Sequence, residues 1–438
     1  MRHFNQQETN MQTIVIAGGG AGGLELATRL GNTLGRPGRA RIILVDRSPA
    51  HFWKPLLHTV ASGKLDPQVY QVDYSAQAAE HGFHFVCGEV EGVDRARRML
   101  RVGAWRAADG SEMQPARAIP YDRLVLAFGA VTNFFGTSGA AEHALTLDHV
   151  QDAERFRQRF IASCMRASSR HAYTPVDIVI VGGGATGVEL AAELSHTVRE
   201  LARYKVHSLD PASDLRIRLV ERGERLLPQL NPRLSRRAAR HLRRLGIEIC
   251  TGAAVARVDA DAVHDSAGNC YPSDITLWAA GVEAPEVCTR LGLTLNRLKQ
   301  VMVTPSLQTV DDVRIFALGD CSSHVCPVKG AAVPPRAQVA HQQALFLADL
   351  LSREWKDALP QFRYRDYGSL VSLGPSAAVG ALAGASGREV LVGGWTARLL
   401  YRLMYQKHVM ALHGFARMAA QTLAHWIRTK VTPPVRLH

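Results

Sequence analysis

Two α/β units with parallel sheets, the second inserted into the first, and a strand-and-helix tail are predicted by three features of this 438-residue chain. An apolar strand, a glycine turn and an amphipathic helix occur in that order near the start and again near the middle. Apolar strands ending in glycine recur later, as they would if the chain returned to each sheet. From Leu391 onward the chain has no acid but keeps a basic, amphipathic period.

The first copy reads Ile14-Val15-Ile16-Ala17, then Gly18-Gly19-Gly20-Ala21-Gly22-Gly23, then the helical run Leu24 to Leu30, then Arg41 to Val45 and Asp46. Gly18 suits the tight turn, Gly20 lets a pyrophosphate reach the backbone, and Gly23 lets helix and strand pack closely. The helix N-terminus adds free N–H groups and partial positive charge. Asp46 stands where a carboxylate accepts from ribose hydroxyls. This is a Rossmann-like dinucleotide site.

The second copy reads Val176 to Val181, Gly182-Gly183-Gly184-Ala185-Thr186-Gly187, a helix from Val188, and a strand Leu215 to Val220 ending in Glu221. Gly182, Gly184 and Gly187 repeat the glycine roles. Two such sites on one chain bind two nucleotides, and the usual use is to pass electrons between them. Glu221 repels a 2′-phosphate, so the second site is expected to take NADH rather than NADPH, with neighbouring Arg222 acting the other way.

Tyr121 to Ala130, Asp274 to Gly281 and Val313 to Asp320 are apolar strands ending in glycine. The expected boundaries are a loose tail at 1–12, a first domain at 13–135 and 282–360, a second at 136–281, and a C-terminal region at 361–438. The tail lacks the apolar stretch of a signal peptide. Apolar content of 47% and charged content of 21% are those of a globular chain. The net charge of +13 calls for an anionic partner: nucleic acid, acidic lipid or a phosphate-bearing cofactor. Arg233, Arg236, Arg237, Arg240, Arg243 and Arg244 alternate with Leu234, Ala238 and Leu242. That spacing reads as a solvated helix face over an apolar stripe, without the aromatic residues a nucleic-acid surface would interleave, so nucleic acid is set aside. Seven scattered cysteines form no metal-type pair and no disulfide framework. Cys321 and Cys326 have the separation of a redox pair, but they follow a Gly-Asp turn rather than lying on the first helix.

The order of these motifs resembles the two-dinucleotide-binding-domain flavoproteins from about Met11 to Leu350. A finer resemblance, over nearly the whole chain, is to the bacterial respiratory type II NADH:quinone oxidoreductases, the alternative NADH dehydrogenases that do not pump protons. It rests on Trp53-Lys54-Pro55-Leu56-Leu57-His58, Gly184-Ala185-Thr186-Gly187-Val188-Glu189-Leu190, Val333 to Gln342 and Ala411-Leu412-His413-Gly414-Phe415. The resemblance implies FAD on Gly18, Gly20, Gly23, Asp46, Lys54, Gly319 and Asp320, and NADH on Gly182, Gly184, Gly187, Glu221 and Gly281. Ala337, Gln338 and Gln342 match the family's quinone motif. On a helix Gln338 and Gln342 share one face and could hydrogen-bond a flavin edge or a quinone carbonyl. Glu189 lies where the family places an acid near nicotinamide and flavin; its plain alternative is to complement the helix dipole.

In the tail, Trp395, Leu399, Leu400, Leu403 and Met404 make one apolar stripe, and Phe415, Met418, Ala419, Thr422, Leu423, Trp426 and Ile427 another. No run is long and apolar enough to span a bilayer. A basic amphipathic helix with tryptophans suits the surface of an anionic leaflet, which the resemblance makes the cytoplasmic face of a bacterial inner membrane. A helical lid or a homodimer contact are the other uses of such a face. The expected reaction is NADH oxidation through FAD to a membrane quinone. Its rivals are a sulfide:quinone oxidoreductase, which needs cysteines beside the flavin, a reductase of a small iron–sulfur protein, and a redox-sensing scaffold.

Overall fold

The computed structural model describes residues 11–107, 109–169, 175–203, 210, 214–326, 330–355, 358–375, 377–383, 389–431 and 435–436. Most of the expected N-terminal tail lies outside them. The chain folds as two compact units. One comprises the described parts of Met1–Trp53, Tyr70–Val131 and Val282–Arg365, the other those of Lys54–Val69, Thr132–Gly281 and Asp366–His438.

The first unit is built on a five-stranded sheet in the order Ile315–Ala317, Arg123–Leu126, Gln12–Ala17, Ala40–Asp46, His84–Cys87. All its pairings are parallel. Strands covered on both faces must be apolar almost throughout, and Ile14, Val15, Ile16, Leu124, Val125 and Leu126 are fully buried. Helices Ala21–Leu30 and Ala337–Leu351 pack against each other. They approach so closely that a Cβ at Gly22 would come within 3.0 Å of the Ala340 carbonyl oxygen. Beneath the sheet, Leu100, Val102, Ile119 and Tyr121 join Ala284, Cys288 and Leu291 in one apolar cluster.

The second unit repeats the plan with the order Ala144–Leu145, Ile275–Trp278, Val176–Val181, Leu215–Glu221, Glu248–Thr251, again parallel. In both sheets the glycine-loop strand lies directly beside the strand that ends in the acid. Helix Pro232–Arg244 opens on Asn231, whose side chain accepts from the Arg233 N–H at 3.0 Å. It buries Leu234, Ala238 and Leu242, and its six arginines are exposed.

Two segments go where sequence spacing did not send them. Leu57–Ala61 is a short helix whose Leu57, Val60 and Ala61 are buried, and it packs on helices Val150–Ser169 and Ala185–Arg203 of the second unit. The antiparallel sheet Gly368–Ser372, Ala378–Ala383, Glu389–Gly393 and the helical run Trp395–Val431 also belong to that unit. Gly414, at φ 78° and ψ 174°, breaks that run into two helices between the two apolar stripes. Among the described residues no helix is long and apolar enough to cross a membrane.

Candidate active site

The first glycine loop is held by its own carboxylate. Asp46 accepts from the Gly19 N–H at 2.6 Å and, through its other oxygen, from Ser48 N–H at 2.8 Å. A carboxylate accepts several hydrogen bonds, so holding the loop does not bar Asp46 from a sugar hydroxyl. Gly18 has φ 109° and sits against the Ala127 carbonyl, where a side chain has neither room nor an allowed conformation. Above Gly20 the space is open: among the described residues only the Ala127 oxygen lies within 4 Å, at 3.9 Å from a Cβ placed there. Among the described residues no side chain caps the helix that follows. An open cradle at an uncapped helix N-terminus beside a fixed carboxylate fits the diphosphate and ribose of FAD.

Tyr74 and His51 finish this loop, and Gln343 fixes the separate turn at Gly319. The Tyr74 hydroxyl donates to the Gly19 carbonyl at 2.7 Å, and His51 Nδ1 donates to the same oxygen at 3.0 Å. Burial lowers the His51 pKa to about 4, so the ring is neutral, while burial and the nearby Asp46 raise that of Tyr74. Gln343, 1% exposed, accepts from the Gly319 N–H at 2.7 Å and so sets the turn that carries Asp320. The signal for Gln343 was its place beside Gln342 and that for His51 its place at the head of the loop through His58; Tyr74 left none.

Helix Ala337–Leu351 presents both expected glutamines. Gln338 Oε1 accepts from the Tyr364 hydroxyl at 2.9 Å. Gln342 clasps the backbone of Arg365, donating to its carbonyl at 2.7 Å and accepting from its N–H at 3.0 Å. One residue before Gln342, His341 Nδ1 donates to Glu25 at 2.6 Å, and Glu25 is buried on the first glycine-loop helix.

The second loop is built alike. Glu221 accepts from Gly183 N–H and Gly223 N–H, each at 2.6 Å. Gly182 has φ 112°, and among the described residues nothing lies within 4 Å of a Cβ placed at Gly184. Gly281, at φ 85°, lies against Phe135. The cradle fits a second dinucleotide, and the clasped anion of Glu221 opposes a 2′-phosphate. Glu189, 7% exposed, accepts from the Ser372 N–H at 2.9 Å and from the Tyr401 hydroxyl, and lies 3.5 Å from His58 Nδ1. Burial raises its pKa more than the neighbouring His58 lowers it. Lys54 is exposed and begins the segment that joins this second unit, so its place beside FAD rests on the resemblance alone. Cys321 and Cys326 are buried and unbridged.

Residues 12–344 match the pyridine nucleotide-disulphide oxidoreductases, the class this pair of cradles defines. A type II NADH:quinone oxidoreductase of Haemophilus influenzae is 37% identical over 98% of this chain and 100% of its own. Another, from Mycobacterium tuberculosis, is 28% identical over 97% of this chain and 90% of its own. The chain therefore belongs to the type II NADH:quinone oxidoreductases. Its fold is like that of NDH2 from Plasmodium falciparum solved with NADH, with a TM-score of 0.82 at 17% identity, covering 98% of this chain and 100% of that one. A sulfide:quinone oxidoreductase from Aquifex aeolicus has a TM-score of 0.69 at 18% identity, covering 96% of each chain.

Proposed function

We propose that this chain oxidises NADH and reduces a membrane quinone, with FAD as the carrier, without pumping protons, at the cytoplasmic face of a bacterial inner membrane. The carrying observation is the pair of glycine cradles, each closed by a carboxylate clasped to its own loop. FAD, when bound, takes two electrons from NADH and passes them to the quinone, a chemistry the protein orients rather than performs.

The residues divide that work. Gly18, Gly20, Gly23, Asp46, Gly319, Asp320 and Lys54 hold FAD, and Gly182, Gly184, Gly187, Glu221 and Gly281 hold NADH. Tyr364 occupies the Gln338 oxygen, which leaves the Gln338 amide N–H groups to donate to a carbonyl. Gln342 steadies Arg365, and Ala337 opens the helix that presents both glutamines. Glu189, whose pKa burial raises, is the acid placed to supply a proton to the quinone step.

Membrane attachment is read from the tail. Trp395, Phe415, Trp426 and Leu423 are 72%, 71%, 61% and 59% exposed, an apolar surface with basic neighbours and no acid. That surface also gives a water-insoluble quinone a route to the enzyme.

The test is NADH oxidation by the FAD-loaded protein with a short-chain ubiquinone, and NADPH as the parallel donor. Rapid NADH turnover with little from NADPH supports the reading. Bleaching of the flavin by NADH without quinone turnover overturns it in favour of a protein acceptor or a sensing role. For the tail, sedimentation with anionic vesicles should fall on Trp426→Glu; unchanged sedimentation with loss of a dimer would assign the face to a second copy of the chain.

A further inference from the structure

Two basic stretches without an acid, far apart in the sequence, lie side by side in the second unit. One is the tail from Leu391 onward; the other runs from Arg225 to Ile247, with seven arginines and no Asp or Glu. Its helix, Pro232–Arg244, buries Leu234, Ser235, Ala238 and Leu242 on one side. At about 3.6 residues per turn, Arg233, Arg236, Arg237, Arg240, Arg243 and Arg244 fall within about a third of the circumference on the other side, and all six are exposed. Among the described residues none of the six forms an ion pair.

The helix's own electrostatics does not account for this face. Its dipole favours Arg243 and Arg244 in the last turn but opposes Arg233 in the first. Arg233 with Arg237, Arg236 with Arg240 and Arg240 with Arg244 are like charges at i and i+4, a spacing at which each pair costs stability and an acid would add it. The helix packs on strand Ala378–Ala383, and His241 Nε2 donates to the Leu373 carbonyl at 3.1 Å. The Arg237 guanidinium fills the space that a side chain at Gly393 would take, with Nη1 2.5 Å from a Cβ placed there. Gly393 ends the strand whose Val390 and Leu391 are exposed, and it stands two residues before Trp395. The cationic face therefore borders the apolar surface on which the tail begins.

We propose that helix Pro232–Arg244 is the electrostatic half of the membrane-binding surface, its arginines binding the phosphate groups of anionic lipids while the tail supplies the apolar contact. This rests on the membrane reading of the tail given above. Charge complementarity and continuity with the tail identify the partner. A guanidinium holds a phosphate by two parallel charge-assisted hydrogen bonds. An anionic leaflet offers phosphate beside an apolar layer, which suits arginines that adjoin exposed Val390, Leu391 and Trp395. A nucleic acid or free phosphate would answer the charge and leave those apolar neighbours in water.

The experiment measures sedimentation of the full-length FAD-loaded protein with phosphatidylcholine vesicles, either pure or containing roughly a third phosphatidylglycerol. One variant combines Arg236→Gln, Arg240→Gln, Arg243→Gln and Arg244→Gln, and a second carries Arg→Lys at the same positions. A third, matched to the first in net charge, combines Arg39→Gln, Arg97→Gln, Arg290→Gln and Arg297→Gln, all exposed on the first unit. The expected result is a fall of at least about tenfold in partitioning of the first variant onto the anionic vesicles, since each arginine at the surface is worth roughly fivefold. The lysine and charge-matched variants should stay close to wild type, and on pure phosphatidylcholine all the proteins should partition alike. Unchanged turnover of NADH with a short-chain quinone in detergent shows that the variants are folded. Wild-type partitioning of the first variant, or an equal fall in the charge-matched one, overturns the proposal; if Trp426→Glu still lowers sedimentation, the tail reading survives it. A fall in kcat/KM for NADH at low salt without a fall in partitioning would assign the face to the dinucleotide instead. Wild-type protein that binds neither vesicle removes the tail reading and the proposal with it.

Discussion

Glu25 and Glu189 occupy the same position in the two copies, two residues past the third glycine of each loop, and both are buried. One helical turn further the copies part: the first has Arg29, the second Glu193. Glu25 meets Arg29 at 3.0 Å and His341 at 2.6 Å, so its charge is answered on the spot and ties helix Ala21–Leu30 to helix Ala337–Leu351. Glu189 has Glu193 one turn away instead of a cation, and burial, with a small addition from Glu193, raises its pKa despite His58 nearby. A duplicated cradle thus leaves its buried acid free to become a structural tie or a proton carrier, and whether close cations answer its burial separates the two roles.

The strongest break of this comparison is steric. A Cβ at Gly23 would run into the Gly18 carbonyl, and one at Gly187 into the Gly182 carbonyl. Valine at either site should cost about 3 kcal/mol or more by overpacking. Gly23→Val should lose retained flavin, read from absorbance after gel filtration, and Gly187→Val should keep flavin but lose NADH binding by titration. Loss of both ligands in both variants would mean the cradles are not independent.

Next, Glu25→Gln should cost about 3 kcal/mol in urea unfolding, because it leaves Arg29 and His341 without their anion. Glu189→Gln should cost little stability and lose quinone turnover. Equal destabilisation by the two would erase the distinction drawn between them.

The copies should also differ in their pH response. His51 has its pKa lowered from 6.5 to about 4, so the unfolded chain binds that proton first and stability falls as pH drops through this window, by up to about 3 kcal/mol. Unfolding midpoints from pH 7 to 4 should show that limb shrink in His51→Gln. For Glu189 the sign is opposite. Its raised pKa means the folded chain keeps a proton that the unfolded chain has released, so its contribution declines as pH climbs above the ordinary carboxylate range, and Glu189→Gln should flatten that limb.

The smallest effect concerns donor choice. Glu221→Ser should weaken NADH about tenfold, roughly 1.4 kcal/mol, and narrow the gap to NADPH, measured as the ratio of the two kcat/KM values. An unchanged ratio would show that Arg222 or another group sets the preference.

The cradles were legible because everything they need lies in short, ordered spacing: an apolar strand, three glycines at set intervals, and an acid closing the next strand. The parallel sheets and the order of motifs followed from the same local signals. Spacing places Gln338 and Gln342 on one helical face but does not say which face turns inward; the packing of that helix makes Gln343 the residue that holds Gly319. His51 and Tyr74 converge on the Gly19 carbonyl from separate segments, with no spacing in common.

The sequence by itself determined the two nucleotide cradles, their carboxylates and the amphipathic tail, because each is written by residues within a strand or a helical turn of one another. Tertiary structure alone decided that Lys54–Val69 joins the second unit, that Glu25 finds its partner in His341, and that Tyr401 reaches Glu189. The physical reason is that periodicity records which side chains share a face, whereas the partner a buried charge meets is chosen by how the chain closes on itself, and that closure depends on the whole core at once.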